Sequence, residues 1–361
     1  MKRKRAALYD PYLDVMGGGE KHILSVMKVL EEEGYDVSVF WKENVADKIS
    51  TQLGLSFQQL SFISDVIPHS SVLSKIRALR DFDVFIYVTD GSYFFSNAAK
   101  NIVFFMYPDR KIYPLGMINK IKTYNYTYIC NSQFTQKHLL ASGIEAEVLY
   151  PYIDQLVISP TPVRKDKIIL SVGRFFPQLH SKRQDKIIEW FKVLKQKNQM
   201  YEDFKLILAG GLKDEDKEYF ITLQRLAHDD TNIIFRTNIS TKEIVELYQK
   251  SIVYWHFAGI GVDEELYPEM VEHLGITPLE AMAEKSIVFC YRAGGPKEII
   301  QDGENGFLFS SQEELFEKMD SVLQNTNLQE KIMEKASSYV EKVFNYEHFK
   351  QNVMKIINNK S

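Results

Sequence analysis

Two periods of apolar residues alternate along this chain. The runs AALY (6–9), DVSVFW (36–41), VFIYV (84–88), NIVFFMY (101–107), TYIC (127–130) and AEVLY (146–150) are short and apolar, as buried strands are. Between them, KHILSVMKVLEEEG (21–34) and NSQFTQKHLLASG (131–143) carry helical spacing and end on glycine. Strands separated by helices predict parallel βαβ units. YPYIDQLVISPTPVRKD (150–166), rich in proline and polar residues, reads as a linker, after which the pattern restarts. IILSV (168–172), KLILA (205–209), NIIF (232–235), IVYWH (252–256) and IVFCY (287–291) are predicted strands. Helices are expected at 185–197, around 215–228, at 240–250 behind a Ser240/Glu243 capping box, and at 278–284. The segment 328–358 is amphipathic, with a break near Asn345-Tyr346. The expectation is α/β: two doubly wound parallel-sheet domains, 1–150 and 151–344, whose ligands would lie beyond the carboxyl ends of the strands.

Composition narrows the class only a little. With 45% hydrophobic and 25% charged residues over 361 positions, the chain is ordinary globular protein of two-domain length. A net charge of −4 gives no overall electrostatic case for a nucleic-acid partner. Cys130 and Cys290 each end an apolar run, which argues against a disulfide framework and for a reducing compartment. The start, MKRKRAALYD, is too short in apolar residues for a secretion signal, and no run reaches the about 18 apolar residues of a membrane span. A cytoplasmic protein is expected.

The chemistry concentrates in a few stretches. In VEHLGITPLEAM (271–282) the residue before Pro278 is disfavoured in a helix, so a helix is expected to start here, with Thr277 as N-cap, Pro278 first and Glu280 third in a T-x-x-E box. Glu272 then sits in the loop before it, and the two carboxylates flank a helix N-terminus that favours anions. Glu280 as a cap and nothing more is the plainer alternative. GGGEKH (17–22) opens the first helix and leaves backbone N–H groups for an anion, or is a strand-to-helix turn; it is not G-x-G-x-x-G, so a dinucleotide is not indicated. SVGRFFPQLHSKRQD (171–185) places Arg174 after a strand and Lys182 and Arg183 before a helix, cations that suit a diphosphate leaving group. YRAGGPKEII (291–300) reads equally as a structural turn or a binding loop. In IVYWHFAGIGVDEELYPEM (252–270), His256 is expected to be packed or hydrogen-bonded, and Asp263, Glu264 and Glu265 to form a solvated loop; no spacing makes a metal site. SVLSKIRALR (71–80) and RKIYPLGMINKIKTYNY (110–126) mix basic and apolar residues, suiting either an anionic membrane surface or packing on their own sheet.

In order along the chain, GGGEKH, NSQFTQ, VLYPYID, SVGR with the Lys182 region, Glu272 and Glu280 in E-x7-E, and GGPKEII resemble the retaining glycosyltransferases of family 4. The resemblance covers nearly the whole chain and implies the GT-B fold, two Rossmann-like domains facing across a cleft. It implies that the second domain binds a nucleotide-diphosphate sugar and the first an acceptor, with the terminal helix, 345–361, crossing back to the first. By that resemblance Glu272 meets the donor sugar's hydroxyls near the reacting carbon, and Glu280 accepts from the ribose hydroxyls. Arg174 and Lys182 hold the diphosphate, aided by the backbone N–H groups of Gly18 and Gly19 and of the turn Leu274, Gly275, Ile276 and Thr277. Transfer proceeds on one face, the departing phosphate taking the acceptor's proton, so neither metal nor cofactor is implied. The implied activity is transfer of a hexosyl group, mannosyl among the candidates, to a hydroxyl of a glycan or lipid-linked glycan. The implied setting is cytoplasmic, with a peripheral contact at the inner face of the membrane left open. A sugar-nucleotide epimerase and a non-catalytic sugar-nucleotide-binding subunit remain alternatives. Two departures stand out: Phe104, Phe105, Met106 and Tyr107 lie where many relatives carry a histidine or other polar group, and 257–271 is longer than in many members.

Overall fold

A computed structural model describes residues 3–64, 67, 70–109, 111–113, 115–154, 164–178, 181–228 and 230–359. The chain divides into two compact units, Met1–Tyr152 with Tyr346–Ser361, and Ile153–Asn345. Positions 155–163 of the expected linker lie outside the described residues.

The first unit runs β1 (Arg5–Tyr9), α1 (Gly18–Glu32), β2 (Asp36–Phe40), α2 (Ala46–Leu53), β3 (Leu60–Ile63), α3 (Val72–Leu79), β4 (Val84–Val88), β5 (Lys100–Phe105), α4 (Met117–Lys122), β6 (Tyr126–Cys130), α5 (Gln133–Leu140) and β7 (Glu147–Val148). Its sheet is parallel, in the order β3-β2-β1-β4-β5-β6-β7, so the order reverses between β1 and β4. β4 is buried at all five positions, which is why VFIYV is a continuous apolar run rather than an alternating one. AEVLY yields only two strand residues, and the half-exposed edge strand β3 carried no clear apolar run to find.

The second unit runs β8 (Asp166–Val172), α6 (Gln184–Lys197), β9 (Lys205–Gly210), α7 (Lys217–Ala227), β10 (Ile233–Thr237), α8 (Thr241–Lys250), β11 (Ser251–His256), α9 (Ile276–Ala283), β12 (Ile287–Tyr291), α10 (Pro296–Ile299), β13 (Phe307–Phe309), α11 (Gln312–Leu323) and α12 (Thr326–Val343). Its parallel sheet has the order β10-β9-β8-β11-β12-β13, reversing between β8 and β11. Ser240 and Glu243 form the expected capping box at α8. The core is aromatic, with Trp255, Phe257, Phe289 and Phe309 packed against Ile187, Ile188 and Phe191 of α6.

The break near Asn345 separates α12 from the last helix, α13 (Tyr346–Asn358). Phe349, Val353, Ile356 and Ile357 of α13 are buried with Ile23, Leu30 and Leu8 of the first unit. Burial of that apolar stripe fixes the terminal helix to the first unit even though the second separates them in sequence. Among the described residues no helix is long and apolar enough to cross a membrane.

Candidate functional site

In the second unit the loops after β8 and β11, the strands flanking the order reversal, bring three polar side chains together. Gly173 follows β8, and a Cβ placed on it would stand 2.4 Å from Cγ of Lys182. The bare backbone therefore lets the lysine stem lie across it, and the ammonium pairs with Oε2 of Glu272. Nε2 of His256, the last residue of β11, lies 3.2 Å from the same oxygen. The side chains of Lys182 and Glu272 are 12% and 16% exposed. Charges so far removed from water are tolerated because each has the other. His256 is 1% exposed. Burial, and after it the Lys182 ammonium, lower its pKa, while Glu272 acts in the opposite direction. Cys290, its neighbour in register on β12, is also buried, and burial together with the Glu272 carboxylate pushes its thiol well above the ordinary value. It is not a nucleophile.

The loop that carries Glu272 is held from behind by the glycine pair of YRAGGPKEII. Gly295 donates its N–H to the Glu272 carbonyl at 2.7 Å. A Cβ on Gly294, whose φ is +65°, would lie 2.1 Å from that carbonyl oxygen, and one on Gly295 would lie 2.3 Å from the Leu274 Cα. This stretch is a clamp on the site loop. The expectation that Glu264 belongs to a solvated run is corrected here: its Oε2 accepts from the Gly294 N–H at 2.6 Å, and its carboxylate pairs with Lys297. Adjacent acids point in different directions, and Glu264 is the one that turns inward. Arg183 pins the same long segment through the Ile260 carbonyl, at 2.8 Å.

The helix start differs from expectation. Gly275, at φ +106°, is the N-cap of α9, which begins at Ile276. Thr277 and Pro278 are therefore inside the first turn and no T-x-x-E box forms. Glycine's access to the left-handed region starts the helix two residues early, and Pro278 falls where an N–H would have no intrahelical partner anyway. Glu280, released from capping, accepts from the hydroxyl of buried Tyr248 at 2.8 Å. The backbone from Leu274 to Thr277 remains the helix entrance, with its orphan N–H groups.

Arg174 stands outside the Lys182–Glu272 contact: it is exposed, its guanidinium 4.5 Å over the Phe176 ring, and its carbonyl accepts from Gln184. Gly18 and Gly19 lie in the first unit as the opening residues of α1. Oε2 of Glu20 takes the Gly17 N–H at 2.7 Å. A Cβ on Gly19 would stand 2.4 Å from Cε of Met106, so the apolar departure at 106 is packed onto the glycine-rich turn.

Sequence reasoning passed over Asp10. It follows β1 at the order reversal of the first sheet, is fully buried, and accepts from the Tyr12 N–H at 2.9 Å through one oxygen. Burial, and after it the Glu20 carboxylate, push its pKa up to about 7. A lone acid closing an apolar strand was the available signal. Among the described residues no group of three or more His, Cys, Asp or Glu side chains is placed to hold a metal ion.

The family model for "Glycosyl transferases group 1" matches residues 156–339. The chain is 30% identical over 212 residues to the human "GDP-Man:Man(3)GlcNAc(2)-PP-Dol alpha-1,2-mannosyltransferase" and 28% identical over 210 residues to the mouse protein of that name. It is 26% identical over 213 residues to "Alpha-1,3/1,6-mannosyltransferase ALG2" of Saccharomyces cerevisiae. The match spans 54% of this chain and 40% of the mammalian relatives, and 50% and 41% for the yeast protein. Among solved structures, a glycosyltransferase from Rickettsia africae ESF-5 superposes with a TM-score of 0.73 at 18% identity, covering 99% of this chain and 100% of its own. Anabaena HepE in complex with UDP and glucose gives 0.69 at 16% identity, covering 98% and 99%. These likenesses establish the two-sheet GT-B fold.

Proposed function

The chain belongs to the glycosyl transferases group 1, and from that premise we propose that it moves a mannosyl group from GDP-mannose to a hydroxyl of a lipid-linked glycan, with retention and without a metal ion. The observation that carries the reading is the Lys182–Glu272 pair at the carboxyl end of β8, beside the entrance of α9. A cation and a helix N-terminus supply positive charge where a nucleoside diphosphate leaves, and fixed charges of this kind stabilise developing negative charge without reorganisation. In this reading Lys182 and Arg174 hold the diphosphate, helped by the N–H groups of the Leu274–Thr277 turn. Glu272 meets the sugar hydroxyls and Glu280 the ribose. Proton transfer falls to the departing phosphate, so no protein nucleophile is needed; the buried, protonated Cys290 is in keeping with that.

The donor and the lipid-linked acceptor are suggested by the names of the mannosyltransferase relatives. A lipid-linked acceptor places the protein peripherally at the inner membrane face. The first unit supports this with α4, none of whose residues is buried.

The test is nucleotide release from GDP-mannose, UDP-glucose and ADP-glucose, with and without EDTA, and the anomeric configuration of any product by NMR. Release of GDP that survives EDTA, with an α-linked product, is expected, and Glu272→Gln should lower it about a hundredfold. Loss with EDTA restored by a divalent ion defeats the metal-free mechanism; an inverted product defeats retention; a folded Glu272→Gln variant of normal turnover defeats the site.

A further inference from the structure

Two nitrogens of opposite chemical type approach one oxygen of Glu272, the Lys182 ammonium in a hydrogen bond and Nε2 of His256 at 3.2 Å. Lys182 supplies a charge on a flexible stem, whereas His256 is the terminal residue of a central strand, 1% exposed, in register with Cys290 and flanked by the aromatic core. An ammonium that must also meet the donor's diphosphate is a poor anchor for a carboxylate, because it is drawn toward each in turn. The imidazole has no such second duty. Its ring is fixed by β11; among the described residues both ring nitrogens are buried without a hydrogen bond of full geometry, and Nε2 is the one that approaches the carboxylate, at 3.2 Å from Oε2.

That arrangement selects one protonation state. A neutral ring with its proton on Nε2 points the N–H at Glu272 and leaves Nδ1 as a bare acceptor. The opposite tautomer would bury an orphan donor and set a lone pair against the carboxylate. The imidazolium would place a second cation beside Lys182 and bury the same orphan donor. The titratable groups around the ring are Lys182 from the loop before α6, Glu272 from the loop before α9, and Cys290 from β12.

We propose that His256 is a positioning residue: its neutral Nε2–H tautomer holds Oε2 of Glu272, fixing the carboxylate while Lys182 moves onto the diphosphate. The inference rests on Glu272 meeting the donor sugar, and it adds that the strand beneath, not the lysine, sets its orientation. Binding of the nucleoside diphosphate, which needs Lys182 but not an oriented Glu272, should be insensitive to position 256. Turnover should be sensitive, since a small misplacement of a group at the reacting carbon costs about a hundredfold in favourable cases.

Two measurements test this. Imidazole 15N shifts, assigned by their loss in His256→Gln, should report the Nε2–H tautomer and no titration between about pH 5.5 and 8. This readout needs no substrate; a ring protonated on Nδ1, or one that titrates in that range, overturns the proposal. The second is GDP-mannose turnover in His256→Gln, His256→Asn and His256→Phe. Glutamine carries an N–H about as far from the backbone as Nε2, while asparagine reaches only as far as Nδ1. His256→Gln should stay within about threefold of wild type in kcat, and the other two should fall about tenfold or more, with the Kd for GDP within about twofold throughout. Equal losses in all three variants that follow their melting temperatures mean a packing role and overturn the proposal. A wild type with the stated tautomer that turns over none of the sugar nucleotides leaves the imidazole contact standing and removes the mannosyltransferase reading.

Discussion

The amide of Gly295 donates to the carbonyl oxygen of Glu272 across 2.7 Å, so the second glycine-rich loop and the site loop are one structural piece. A side chain at 294 or 295 has to push that piece apart. Gly295→Ala, with its Cβ 2.3 Å from the Leu274 Cα, should lower the melting temperature and reduce turnover together, at a cost of about 1–3 kcal/mol in stability. Gly34→Ala is the control: φ there is +84° and nothing lies within 4 Å, so only the left-handed strain, about 1 kcal/mol, should register and turnover should be untouched. Wild-type turnover in Gly295→Ala would show that the clamp does not govern the site.

Arg174 and Lys182 should separate in their effects although both are assigned to the diphosphate. Arg174 is exposed and rests on Phe176, so Arg174→Ala removes a charge and disturbs little else. By calorimetry it should weaken GDP by about 1.5–3 kcal/mol, the scale of a charge-assisted hydrogen bond, and leave guanosine unchanged. Lys182→Ala should do the same and also lower turnover, because the diphosphate then leaves without the cation that stabilises its developing charge. Equal losses for GDP and guanosine in either variant would place that residue away from the diphosphate.

The contrast between legible and illegible features has physical causes. Strands buried on both faces, such as β4 and β12, announce themselves as apolar runs, and the Ser240/Glu243 box marks α8 because both of its groups are local. At Thr277 the same T-x-x-E pattern misled: the competing signal was Gly275, whose left-handed backbone can start a helix regardless of the hydroxyl two residues later. Glu264 and Tyr248 reach partners 30 and 32 positions away, and no local pattern encodes such contacts. His256 was visible only as a single histidine closing a strand. Its meaning came from β11 lying next to β8, a fact of topology rather than of spacing.

A membrane contact of the first unit makes its own forecast. Met117, Ile118, Ile121 and Tyr124 are between 57% and 81% exposed, Lys111, Lys120 and Lys122 accompany them, and no acid occurs between 111 and 126. Positions 110 and 114 of that stretch lie outside the described residues. The protein should co-sediment with vesicles containing anionic lipid at low salt and be released as screening shortens the reach of the lysines. Ile118→Ser with Ile121→Ser should reduce binding about tenfold or more, since two exposed apolar side chains contribute about 1.5–3 kcal/mol each when buried, and should leave the melting temperature alone. Absence of co-sedimentation at low salt would dispose of the idea.

Asp10 predicts a pH dependence of stability with an unusual sign. Its folded pKa of about 7 lies above the ordinary 3.8, so the unfolded chain releases this proton first as pH rises. The folded state therefore holds the extra proton between about pH 4 and 7, and stability falls across that window as pH increases, then levels off. Asp10→Asn removes the group and should flatten this part of the curve. The variant's gain over wild type should grow from small near pH 4 to on the order of 3–4 kcal/mol at pH 8. Glu20, also shifted upward by burial, keeps part of the slope in the variant. Thermal melts at the two pH values decide the matter: an equal gain at both, or a loss at pH 8, would show that Asp10 is ionised in the folded protein.

The contact of Glu280 with Tyr248 and its proposed contact with the ribose can be told apart. Tyr248 is buried and donates to its Oε2 at 2.8 Å. An amide oxygen can accept that hydrogen bond as a carboxylate does, so Glu280→Gln should hold the wild-type melting temperature. Glu280→Ala takes this acceptor from a buried hydroxyl and should cost about 1–3 kcal/mol of stability. The ribose asks for something the amide lacks. Two vicinal hydroxyls donate to both oxygens of a carboxylate with charge assistance, whereas glutamine offers one acceptor and a misdirected donor. Glu280→Gln should therefore lose about 1.5–3 kcal/mol of affinity for GDP, roughly ten- to a hundredfold in Kd, while 2′,3′-dideoxy-GDP binds wild type and variant alike. Tyr248→Phe frees the carboxylate to rotate and should weaken GDP by less than Glu280→Gln does, because the charge remains. If Glu280→Gln binds GDP as tightly as wild type, the carboxylate serves the fold and the ribose must be read elsewhere.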